Sequence, residues 1–146
     1  MSESNKKPLY KKVMIVDDNE IDRYIGSRNI KKYFFAENVI LKESARAALN
    51  YLSSLENTPE ELPQLIFLDI RMPEIDGFGF LEEYEKFPDV IRKNCIVMML
   101  STSLNPVDHD RVKNNQYVNR FINKPLDLEK LKLISPTYTI LTANPN

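Results

Sequence analysis

Four short apolar runs each stop at residues that can do chemistry. "VMIV" (13–16) runs into Asp17 and Asp18, and "LIFL" (65–68) into Asp69. "VMML" (97–100) runs into Ser101 and Thr102, and "RFIN" (120–123) into Lys124. Gathered in one pocket, these groups support a narrow range of reactions. Three carboxylates repel each other, so their ionised forms are costly without a cation. An all-oxygen donor set favours a hard ion such as magnesium. A carboxylate can also take a phosphoryl group as an acyl phosphate. That transfer needs mainly positioning and charge neutralisation, which a divalent ion and a lysine supply. A Ser101 hydroxyl could donate a hydrogen bond to the phosphoryl oxygens. On these grounds Asp69 is the candidate phosphoacceptor.

Taken singly, each residue has a plainer use. Asp18 or Asn19 could cap a helix. Asp69 could be a turn residue, with Pro73 and Asp76–Gly77 continuing the loop. Ser101 or Thr102 could satisfy a loop backbone, and Lys124 could be an exposed lysine before Pro125. Four such coincidences at the same end of four runs favour a shared site instead.

The elements that position them follow from periodicity. Short runs that are apolar on both faces read as buried parallel strands, with "NVILKE" (38–43) a weaker edge strand. Between them lie helical patterns. "EIDRYIGSRNIKKYFF" (20–35) places Ile21, Tyr24, Ile25 and Ile30 near one face, and "SARAALNYLSSL" (44–55) opens with a Ser cap. "GFLEEYEKF" (79–87) spaces Phe80, Leu81, Tyr84 and Phe87 likewise, "PVDHDRVKNNQYV" (106–118) is a weak short helix, and "DLEKLKLI" (127–134) gives barely two turns. The β-α alternation, five times over, predicts an α/β fold: a doubly wound five-stranded parallel sheet with helices on both faces. In the flavodoxin-like order 2-1-3-4-5, ligands bind beyond the carboxyl ends of the strands, where all these groups would line one crevice.

The chain's 146 residues amount to one domain. Residues 1–10 read as a charged flank, 11–134 as the folded unit and 135–146 as a tail. Within that tail, "TYTIL" (137–141) is β-prone and apolar, and is expected to dock on its own domain or on a partner. Lys plus Arg number 20 against 21 Asp plus Glu, so no net field favours nucleic acid or a membrane. The one cysteine, Cys95, excludes an internal disulfide and sits in the apolar run "CIVMML", as a buried inert thiol would. No apolar run approaches the ~18 residues of a membrane span. "MSESNKKPLYKK" lacks a signal peptide's apolar segment, so the expected location is cytoplasmic. His109, in a polar stretch, is expected to be an exposed surface residue.

With these residues in view, the sequence resembles a response-regulator receiver domain of two-component signalling, of the stand-alone type. The resemblance rests on "VDDNE", "LDIRMPEIDGFGFL", "MMLSTS" and "FINKP", in the family's order across residues 13–125. It implies a signalling module and not an enzyme. Asp69 would accept a phosphoryl group from a histidine kinase or histidine phosphotransfer protein, and the chain would then bind a downstream protein target or pass the group on. It also implies that Asp18, Asp69 and the backbone carbonyl of Arg71 ligate magnesium, with Asp17 acting mainly through a metal-bound water. Ser101 matches the family's hydroxyl, Phe121 its switch aromatic and Lys124 its lysine, before a peptide bond that is cis in the family. The Arg71 side chain would stand at the pocket mouth.

Two other classes use related parts. A haloacid-dehalogenase phosphohydrolase has D-x-D directly after its first strand, where this chain reads Asp17-Asp18-Asn19. A flavin- or nucleotide-binding protein of this fold needs a Gly-rich phosphate cradle, and the chain has three glycines, none of them directly after the first strand.

Overall fold

A computed structural model describes residues 7–102 and 105–134; the tail at 135–146 lies outside the described residues. The strands are β1 (Tyr10–Val16), β2 (Ala36–Lys42), β3 (Leu65–Asp69), β4 (Ile96–Ser101) and β5 (Val118–Asn123). They form one all-parallel sheet in the order β2-β1-β3-β4-β5. The helices are α1 (Glu20–Lys32), α2 (Ala45–Ser54), α3 (Gly77–Tyr84), α4 (Asp89–Arg92), α5 (Pro106–Asn114) and α6 (Leu128–Leu133).

Both faces of the sheet are covered. Alternate residues of β1 and β3, Met14, Val16, Ile66 and Leu68, pack with apolar residues of α2, α3, α4 and α5. Val13, Ile15, Leu65 and Phe67 face the other way and meet Ile30 of α1 and Leu131 of α6. That explains the continuous apolar runs: a strand covered on both faces has no solvent side to mark with polar residues. All five residues of β3 are buried.

Caps set where the helices begin. Asn19, Ser44, Asp76, Asn105 and Asp127 each accept a hydrogen bond from a backbone N–H of the first turn. Asp76–Gly77 is therefore the start of α3. Gly77 is required there by close approach: a Cβ would meet the Asp69 carbonyl oxygen at 2.7 Å and Met99 Cε at 2.8 Å.

Helix α1 differs from its sequence pattern. Its buried residues are Gly26 and Ile30, whereas Ile21 and Tyr24 are 68% and 64% exposed. At about 100° per residue, Ile21 lies half a turn from Ile30, so the two cannot share a seam. Helix α4 and a single 3-10 turn at Pro59–Glu61 were not legible in the sequence, since three or four residues carry no periodicity.

Candidate functional site

The carboxyl ends of β1, β3, β4 and β5 converge. Asp17 follows β1 directly and is fully buried. Its Oδ1 accepts from the Asn19 N–H at 2.9 Å, and its backbone carbonyl accepts from Arg23 Nη1 at 2.7 Å. Those bonds fix the turn into α1, where Asn19, not Asp18, is the cap: its side chain accepts from the Asp22 N–H. Asp18 is left exposed to solvent at the pocket. Asp69 closes β3 and is 5% exposed. Asp17, Asp18 and Asp69 each bring a carboxylate oxygen to within 4.8 Å of the others.

Lys124 enters from the end of β5. Its Nζ lies 2.8 Å from Asp17 Oδ2, 2.8 Å from Asp22 Oδ2 and 3.6 Å from Asp69 Oδ1. The Asp22 contact is a hydrogen bond. The Asp17 contact is an ion pair by distance only, which leaves the buried Oδ2 without a hydrogen bond. The Lys124 N–H donates to the Ser101 carbonyl at 2.9 Å, tying the β4 and β5 ends together, and the Lys124–Pro125 bond is cis. Ser101 is buried at the end of β4, one residue past the partner of Asp69 in the β3–β4 register.

Electrostatics follow from three carboxylates around one ammonium, with Asp18 close to two of them. Burial, then the Asp17 charge, pushes the Asp69 carboxyl up from its ordinary 3.8 to about 6, with Lys124 pulling the other way. Burial alone would lower the Lys124 value; the Asp17 and Asp22 carboxylates, each 2.8 Å away, overcome it, and the ammonium is held protonated. An all-oxygen set with a buried oxygen lacking a hydrogen bond fits a hard divalent cation such as magnesium.

Phe121 is half-buried on β5 and packs against the α2–α5 side of the core. His109 is exposed, and Cys95 is a buried free thiol. The Arg71 guanidinium pairs with Asp108. Sequence reasoning missed two residues here. Asp22, a second partner of Lys124, reads as a first-turn acid of α1; Asp108 reads as an exposed position of a polar helix. Neither carries a signal in one sequence, because both depend on partners 102 and 37 residues away.

The model of the response regulator receiver domain family matches residues 13–134, which includes every residue of this pocket. The chain belongs to that family. It is therefore a receiver domain of two-component signalling. Among relatives, Response regulator Rcp1 of Synechocystis sp. is 29% identical over 135 residues, 90% of this chain and 86% of its own length. Hybrid signal transduction histidine kinase L of Dictyostelium discoideum is 28% identical over 140 residues, 93% of this chain but 8% of that protein. A two component response regulator from Cytophaga hutchinsonii, solved by crystallography, superposes with a TM-score of 0.81 at 25% identity, covering 92% of this chain and 99% of that one. No described helix is long and apolar enough to cross a membrane.

Proposed function

We propose that this receiver accepts a phosphoryl group on Asp69 from a histidine kinase or a histidine phosphotransfer protein, in a magnesium-dependent reaction. It then presents an altered surface to a downstream protein target or passes the group on. The observation that carries the reading is Asp69 at the tip of a buried strand, within 4.8 Å of two further acids and 3.6 Å from Lys124.

Asp69, Asp18 and the Arg71 carbonyl, with Asp17 behind them, would hold magnesium, which neutralises charge between the acids and the incoming phosphoryl oxygens. An Asp69 oxygen attacks phosphorus and forms the new P–O bond. The P–N bond to the donor imidazole breaks, and the ring nitrogen keeps the electron pair and takes a solvent proton. Lys124 meets a phosphoryl oxygen by giving up part of its hold on Asp17 and Asp22, and Ser101 donates its hydroxyl to another. A haloacid-dehalogenase reading fits less well, since the candidate nucleophile stands on β3 and not after β1.

The phosphoryl group brings roughly two negative charges. Drawing Ser101 and Lys124 inward vacates space beside β4, and half-buried Phe121 on β5 is the bulky group able to turn into it. Magnesium with beryllium fluoride, an acyl-phosphate mimic, should shift amide resonances across residues 105–125. Asp69→Asn should abolish the response and Ser101→Ala weaken it. Shifts confined to the loops at 17–19 and 69–72 would refute the switch.

A further inference from the structure

Among the described residues, four polar side chains are buried: Asp17, Asp69 and Ser101 in the pocket, and Asp108 outside it. Asp108 sits in the first turn of α5, 4% exposed. Its carboxylate is held by two arginines. Arg71 Nη2 donates to Oδ2, and Arg111 Nη1 stands 3.8 Å from Oδ1 while its guanidinium lies over the Phe78 ring at 3.8 Å. Arg71 stands two residues past Asp69 in the chain, and its guanidinium is tied to α5. The Arg71 side chain is 60% exposed, so little packing restrains it from turning. Helix α5 also borders a cleft shared by His109, Val112 and Phe121.

We propose that Asp108 is a positioning residue: it holds Arg71 off the phosphoacceptor, so that α5 and a phosphoryl group on Asp69 compete for one guanidinium. The proposal rests on the reading of Asp69 as the acceptor. A phosphoryl group accepts a two-pronged arginine contact more strongly than one carboxylate oxygen does. When Arg71 turns to it, Asp108 keeps, among the described residues, only the 3.8 Å contact to Arg111. A buried carboxylate left so poorly paired is unfavourable, and the first turn of α5 must shift to rehydrate it. The coupling is reciprocal: weakening the hold of Asp108 must strengthen phosphoryl binding by the same factor.

The test is an NMR titration of the full chain with beryllium fluoride at saturating magnesium. Asp108→Asn, which keeps the shape and removes the charge, should bind about fivefold more tightly, the low end of ordinary coupling. Arg71→Ala should bind more weakly than the wild type, and Arg71→Lys should recover part of the loss. Adding Asp108→Asn to Arg71→Ala should change nothing further. Equal affinity of Asp108→Asn and wild type, or a gain that persists without Arg71, overturns the proposal. Should Asp108→Asn not fold, the amides of 106–112 decide it: in ligand-free Arg71→Ala they should already lie near their ligand-bound wild-type positions. Positions unchanged from ligand-free wild type refute it. Absence of binding by the wild type defeats the acceptor reading and, with it, this one.

Discussion

Replacing Asp69 by asparagine should stabilise the metal-free protein. The folded pocket holds the Asp69 carboxyl at about 6 against an ordinary 3.8. At about 1.4 kcal/mol per pKa unit, ionising it in the fold costs up to about 3 kcal/mol. Because the folded value lies above the unfolded one, the cost is fully present above pH 6. It fades as pH falls from there toward 3.8. The substituted amide would carry no charge. Lys124 loses only its longest contact, 3.6 Å, and keeps Asp17 and Asp22. A net gain of about 1–3 kcal/mol at pH 8 is expected, on the order of 3–10 °C in Tm for a domain of this size. Thermal unfolding followed by circular dichroism in EDTA reads it directly. Near pH 4.5 the gap should shrink by more than half. Magnesium at pH 8 should raise the wild-type Tm and leave the variant nearly unmoved. A variant no more stable than wild type at pH 8, or a gap indifferent to pH, would refute the electrostatic reasoning.

Other positions give simpler expectations. Burial pushes the Cys95 thiol up to about 12, so Ellman's reagent at pH 8 should react with it only after denaturant is added; a fast native reaction contradicts its burial. Gly77→Ala forces a methyl against the Asp69 carbonyl and Met99 and should cost roughly 1–3 kcal/mol in urea unfolding, with a lowered phosphorylation rate. Phe67→Ala empties the centre of the α1–α6 side of the core and should cost about 3–5 kcal/mol, a loss visible as a lowered urea midpoint.

How much of this could be seen beforehand depends on whether the signal was local. The strands of the doubly covered sheet announce themselves as continuous apolar runs, and the acids, serine and lysine at their ends needed only the strand order to converge. Ser44 was legible as a cap because capping is a three-residue affair. Where position depends on a distant partner, the sequence is silent. Ile21 and Tyr24 look like a buried stripe with Ile30 until the Gly26–Ile30 seam is known to face the sheet. Asp22 and Asp108 look like ordinary surface acids until Lys124 and Arg71 reach them. Phe121, an aromatic in an apolar run, could not be assigned a depth; it lies half-buried because β5 is the sheet's edge.

The central claim is that Asp69 takes the phosphoryl group. Intact-mass measurement after incubation with acetyl phosphate and magnesium tests it most directly. The wild type should gain one phosphoryl group, the gain should fail when EDTA is added before the donor, and Asp69→Asn should show none. An Asp69→Asn chain that gains the same mass at the same rate would contradict the claim.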